Sequence, residues 1–336
     1  MNRPLPAAAS FYPAAFNMNR LLPLAKEGVV GVVLVLLSGG TAFCQTDSST
    51  PSYRLEKIGI VQCDFGSAFS PARIGNSDEM EFRVSRSGDF YFIFYEQGKI
   101  GRFDGGGKLV RSVATGVPLS RRSSGFALSP EGDLFVLDGR GKNLQRYDAS
   151  LDLIGKYPLA GGEGLDPVFG FAATSWGEML AAGGLKANVW KLEPEGQSFS
   201  AKPVYLPESF RYSSLSEMEG GKLIATDPLG ALMVMDRYGN LLRTFSFRKG
   251  LRAVSVGENF LVTFWPYTKL MVLDTVGVVL ANWKAVELDS AFATVTEFQV
   301  ERDRAYFLLS SLNKVAIFKL ERRDTSPLFE GTVLKK

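Results

Sequence analysis

Histidine is absent from all 336 residues. That zero removes the usual general base, the commonest zinc ligand and the usual activator of a catalytic Ser or Cys. Cysteine is nearly absent: Cys44 and Cys63 are the two present. Loss of an N-terminal segment containing Cys44 would leave Cys63 alone, without an intrachain disulfide, and it reads as a small buried hydrophobe rather than a reactive thiol. An excess of one charge is also missing. Lys and Arg number 38 against 35 Asp and Glu. Residues 1–44 hold Arg3, Arg20, Lys26 and Glu27, so the remainder sits near +1. This balance gives no global reason to bind nucleic acid. The longest apolar run, Val29 to Leu37, is too short to cross a hydrocarbon core of about 30 Å comfortably as a helix.

That run does fit another role. Arg20 and Lys26 precede it, and Ser38-Gly-Gly-Thr-Ala-Phe-Cys44 follows. Basic, apolar and small residues in this order make a secretory signal, with cleavage after Ala42 or after Cys44. Met18 is an alternative start that gives a signal of ordinary length. A lipid attached at Cys44 fits less well, because Phe43 stands where a small residue is wanted. Residues 1–44 are therefore expected to be a signal peptide, or else an uncleaved anchor. Residues 45–52 form a polar linker, residues 53–322 the folded body and residues 323–336 a tail. The expected location is exported: periplasmic, envelope-bound or secreted. Membrane contact is expected only through the N-terminal segment if it stays uncleaved.

The folded body has 46% apolar residues in the whole chain to draw on, and 35 glycines, which suit many short strands joined by turns. It is also repetitive. Gly88, Gly132, Gly177, Gly221, Glu258 and Asp303 each stand two residues before an apolar strand, at intervals of 44, 45, 44, 37 and 45 residues. A second landmark recurs downstream: Phe103-Asp104, Tyr147-Asp148, Leu192-Glu193, Met235-Asp236, Leu273-Asp274 and Phe318-Lys319. A turn follows most of these, and an acid before a glycine-bearing turn has a physical reason. Its carboxylate accepts downstream backbone N–H groups, and glycine tolerates positive φ. The apolar strands, taken as the inner ones, lack polar alternation, as in Phe90-Tyr-Phe-Ile-Phe-Tyr95. Strands covered on both faces look like this, and stacked propeller blades provide that cover. A period near forty with four strands per copy predicts an all-β, six-bladed β-propeller of four-stranded blades. The sixth copy runs out of chain before its fourth strand, so residues 53–61 are expected to close the ring as its outer strand.

Gly132-Asp-Leu-Phe-Val-Leu-Asp138, followed by Asn143-Leu-Gln-Arg-Tyr-Asp148, resembles an NHL-type repeat. The resemblance spans roughly residues 53–322 and implies the same six-bladed architecture. It says little about chemistry, because this fold carries many functions. Amidating lyases built on NHL-like propellers need His and a metal, and this chain has no His. Lactonase-type six-bladed propellers hold a divalent cation with Glu, Asn and Asp at the axis. Asp138, Asp227 and Asn259 lie near the corresponding strands, but Asp138 and Asp227 also suit strand-end turns, and structural use is the expected role. Tryptophans 176, 190, 265 and 283 lack the periodic spacing of quinone-cofactor propellers.

No catalytic residue, metal ligand or cofactor is therefore assigned. Ligands of propellers usually sit at the axis, among the loops that lead into each inner strand. These loops contain Arg73, Arg121 and Arg122, Asp166 to Phe169, Phe210-Arg211-Tyr212, Arg248-Lys249 with Arg252, and Phe292. The candidate ligand-binding residues are Arg73, Arg121, Arg122, Arg211, Tyr212, Arg248 and Arg252. Arginine forks onto carboxylate or phosphate, and aromatics stack on peptides or sugars. The expected function is a binding or interaction module for a protein, a peptide or a small anionic ligand, without covalent chemistry. The alternative is a metal-dependent hydrolase of lactonase type.

Overall fold

In a computed structural model of the chain, the described residues are 52–66, 69, 80–120, 124–138, 142–165, 167–183, 188–204, 214–227, 229–247, 250–264 and 268–323. The expected signal peptide and tail lie outside them, apart from Arg323. The structure is almost entirely β. The first strand is β1 (Tyr53–Gln62). A four-stranded sheet follows, made of β2 (Met80–Val84), β3 (Phe90–Phe94), β4 (Lys99–Phe103) and β5 (Leu109–Ala114). The next strands are β6 (Gly125–Leu128), β7 (Leu134–Leu137), β8 (Asn143–Tyr147) and β9 (Leu153–Ala160), then β10 (Val168–Ala173), β11 (Met179–Gly183), β12 (Asn188–Glu195) and β13 (Ser198–Val204). These eight form one sheet, because the outer strands β9 and β13 pair in parallel at Phe199 with Leu159 and Ser200 with Ala160.

Two further four-stranded sheets come next. One contains β14 (Ser214–Met218), β15 (Lys222–Thr226), β16 (Ala231–Asp236) and β17 (Leu241–Ser246). The other contains β18 (Leu251–Val256), β19 (Asn259–Phe264), β20 (Lys269–Leu273) and β21 (Val279–Lys284). The last strands are β22 (Val295–Glu301), β23 (Arg304–Leu309) and β24 (Lys314–Arg322), and their sheet is completed by β1 in the order β1-β24-β23-β22. Tyr53 faces Arg322 and Gln62 faces Lys314 across the β1–β24 pair.

Apolar strands such as β3 are the second strand of each four-stranded unit, a middle position with a neighbour on either side. Their lack of alternation has the expected cause. Phe90, Phe92 and Phe94 enter one core with Phe82, Tyr306 and Leu308, whereas Tyr91, Ile93 and Tyr95 enter another with Phe126, Leu134 and Val136. Each face of β3 thus belongs to a different neighbouring sheet. Phe65 packs edge-on against Phe92, Phe94 and Phe103 at 5.2–5.3 Å between ring centres. The innermost strands, such as β2, mix buried apolar and half-exposed polar residues.

The recurrent acids are turn residues. Asp104 Oδ1 accepts from the N–H groups of Gly106 and Lys108, both at 3.0 Å. Asp148, Asp236 and Asp274 repeat this pattern two and four residues downstream. The acid that opens the second strand also recurs as an ion pair with the third strand: Asp89 with Arg102, Asp133 with Arg146 and Glu178 with Lys191. These charges hold the scaffold together.

β1 is fastened at both ends. Ser52 N–H donates to Leu280 O at 3.0 Å, and Arg323 N–H donates to Ser52 O at 2.8 Å. Midway, Lys57 pairs with Asp289, whose carboxyl is held below its usual range by that lysine and by the Ala291 N–H. At the far end Asp64 N–H donates to Gly107 O at 2.9 Å. Gly107 has φ +85, and an added Cβ would lie 2.2 Å from Gln62 O. Gly107→Ala should therefore cost about 2 kcal/mol or more in urea unfolding, combining backbone strain with a backbone clash. Gly196→Ala, at φ +64 with nothing within 4 Å, should cost only about 1 kcal/mol. Equal costs would show that β1 does not press on Gly107.

Candidate functional site

The six innermost strands β2, β6, β10, β14, β18 and β22 line one cavity of 1680 Å³. Its centrepiece on the wall is Arg83, whose side chain is only 19% exposed. Its guanidinium pairs with Glu81 and lies 3.6 Å from a Glu297 carboxylate oxygen. It also donates to Phe82 O at 2.8 Å and covers the Phe126 ring at 5.4 Å. Burial pushes the guanidinium pKa down, but Glu81 and Glu297 more than offset this, so it stays above its ordinary value. The Tyr95 hydroxyl donates to Glu81. Two carboxylates, one guanidinium and one phenol thus satisfy one another, and this group is a closed structural network.

The same region shows how an innermost strand satisfies its free edge. Phe82 N–H donates to Glu297 Oε2 at 3.3 Å, and Val84 N–H donates to Gln299 Oε1 at 3.1 Å. Gln299 Nε2 returns a bond to Phe82 O at 2.8 Å. Alternate side chains of β22 therefore pair with the backbone of β2 in place of a neighbouring strand. On the opposite wall, Glu217 of β14 accepts from the backbone and hydroxyl of Ser175.

Of the candidate ligand-binding residues, Arg73, Arg121, Arg122, Arg211, Tyr212 and Arg248 lie outside the described residues. Arg252 is described: it is half-buried on β18 and lines the cavity. Phe169 also lines it and is 42% exposed. Phe292 does not belong to a mouth. It is buried and packs on Phe307 and Phe318 at 4.7 and 5.5 Å, because the short helical turns after β21 fold it under the sheet.

The three residues considered for an axial cation are committed elsewhere. Asp138 accepts from Lys142 N–H at 2.8 Å and Asn143 Nδ2 at 2.7 Å. Asp227 accepts from Ala231 N–H at 2.6 Å. Asn259 donates to the Tyr53 hydroxyl at 2.8 Å. Among the described residues no three Cys, Asp or Glu converge as a metal site. Cys63 is buried, and burial pushes its thiol up to about 12, which makes it inert as a nucleophile.

No protein-family model matches the chain, and no curated protein matches it. Solved structures do. A streptogramin B lyase superposes with a TM-score of 0.53 and 13% identity, covering 82% of this chain and 90% of the lyase. A catalytically inactive virginiamycin B lyase from Staphylococcus aureus, solved with quinupristin, gives 0.52 and 14% over 71% of this chain and 79% of the lyase. Raptor from Chaetomium thermophilum gives 0.52 and 14% over 73% of this chain, which spans 23% of that protein. Together with the sheets and the shared cavity, these likenesses define the fold class: the chain is a β-propeller.

Sequence reasoning missed Glu81, Arg83, Glu297, Gln299 and Ser216, because they sit on innermost strands; the one signal available was the Glu-Phe-x-Val shared by residues 81–84 and 297–300. Gln299→Leu removes the partner of the Val84 N–H and should cost about 1–3 kcal/mol in urea unfolding. An unchanged midpoint would show that the β22–β2 contact contributes nothing to stability.

Proposed function

We propose that the protein is an exported six-bladed propeller of NHL type, closed by β1, that binds an anionic or peptide ligand at its axis without covalent chemistry. The observation that carries this is the single cavity shared by all six innermost strands, with Arg252 in its wall. Pockets of this kind, concave and largely preformed, are the default binding sites of rigid scaffolds. A protein or peptide is the favoured partner class, because a propeller presents loops from every blade around one opening. Export rests on the order of basic, apolar and small residues before position 45.

Two enzymatic readings have less support. The inactive virginiamycin B lyase carries a histidine-to-alanine substitution, and this chain contains no histidine at all. A chemistry that depends on histidine has no equivalent group here. The lactonase-type reading needs free axial carboxylates, and Asp138 and Asp227 are held in turns.

Peptides selected against the full chain from a random display library test the proposal. They should bind the wild type and lose binding to the triple variant Arg121→Gln, Arg211→Gln, Arg252→Gln. Selected peptides that bind both proteins equally would overturn the axial site. Calorimetric titration with millimolar calcium should give no binding heat, whereas a saturable signal would favour the hydrolase.

A further inference from the structure

The cavity wall divides its charged groups into those already satisfied and those left over. Glu81 and Glu297 are engaged with Arg83, and Glu217 with Ser175. Glu219 follows β14 in the turn and Glu301 is the last residue of β22, whereas Arg252 is the second residue of β18. Arg252 makes no ion pair or hydrogen bond among the described residues, although it is half-buried. On the adjacent innermost strand, the Ser216 hydroxyl is buried with no hydrogen-bond partner among the described residues. Buried polar atoms without partners are rare in folded proteins, and each one calls for a physical reason. The strand on the other side of β14 is β10, which packs against it and carries the exposed Phe169.

β10, β14 and β18 are thus consecutive staves of the cavity, offering an apolar ring, an unsatisfied hydroxyl and an unpaired guanidinium. We propose that this wall binds a peptide C-terminus with an apolar last residue: the carboxylate on Arg252 and Ser216, the side chain on Phe169. A carboxylate accepts hydrogen bonds only, and its two oxygens can take the guanidinium fork and a hydroxyl together. Partial burial raises the strength of such a pair above its value in bulk water. No carboxylate of the wall pairs with Arg252: Glu81 and Glu297 are held by Arg83 and Glu217 by Ser175, and Glu96, Glu219 and Glu301 make no ion pair with it among the described residues. A neutral amide in the same place would lack the charge and would bring donors towards a donor group. The proposal rests on the axial reading above and specifies which chemical group enters.

The test uses the full chain and two probes, acetyl-Ala-Ala-Phe with a free carboxylate and the same peptide as its amide, titrated by calorimetry. The acid should bind at least about tenfold more tightly than the amide, the scale of a lost charge-assisted pair. Arg252→Gln should erase that difference, Arg252→Lys should keep part of it, and Ser216→Ala should reduce it a few-fold. Circular dichroism melting of each variant establishes that it is folded. Equal affinity for acid and amide, weakened in Phe169→Ala, overturns the carboxylate subsite and keeps the axial site. No binding of either probe at millimolar concentration also overturns the subsite. The cavity's wider role as a binding site then stands or falls on the display selection.

Discussion

A β-strand with no neighbour on one side leaves a row of backbone donors and acceptors unpaired, and the structure depends on how each such edge is met. Each four-stranded unit here has an outer strand at the perimeter and an inner edge at the cavity. At the perimeter, β9 and β13 meet part of the problem for each other by pairing in parallel at Leu159–Phe199 and Ala160–Ser200. β24 would otherwise end the last sheet, and β1 covers it over the whole span from Tyr53 to Gln62. At the cavity, Glu297 and Gln299 supply from side chains the partners that a strand would have supplied to Phe82 and Val84. The first and last strands of the described residues therefore meet twice, β1 with β24 at the outer edge through backbone and β2 with β22 at the inner edge through side chains. In the ring proposed here, that double seam is the place where closure is won or lost.

The repeated charges and the charge of the proposed site lie at different places. Asp104, Asp148, Asp236 and Asp274 cap hairpins, and Asp89–Arg102 and Asp133–Arg146 pin second strands to third. Each recurs because each blade faces the same local problem. Arg83, Arg252 and Ser216 do not recur. Arg83 is neutralised by its neighbours and belongs to the seam, whereas Arg252 and Ser216 are left facing the cavity wall without partners. A site on a propeller lies in what the copies do not share.

Much of the architecture was legible in the sequence because it repeats. The glycine before four of the six second strands and the acid before five of the six outer turns marked four-strand units, and Phe90 to Phe94 advertised cover on both faces. A run of buried residues looks like the centre of a ring, yet the strand nearest the axis has one wet side and so carries Glu81, Arg83 and Ser216. The β9–β13 pairing was not legible, because it depends on how neighbouring sheets twist towards each other. Arg252 was named from a loop leading to an innermost strand and lies on that strand, in the cavity wall. Phe292 was placed at the mouth by the same rule and lies in the core, since sequence order does not show which way a short helical turn folds. The hydroxyl of Ser216 gave no signal, because an ordinary serine acquires meaning only when its surroundings withhold a partner.

The central claim is that the N-terminal strand makes the last sheet complete and thereby holds the ring together. Equilibrium urea unfolding of the chain with and without residues 53–61 tests it most directly. The account predicts that the intact chain unfolds in one cooperative transition and that the shortened chain loses that transition, with early exposure of the β22–β24 core around Phe298, Phe307 and Phe318. A shortened chain that unfolds with the same midpoint and the same slope would contradict it.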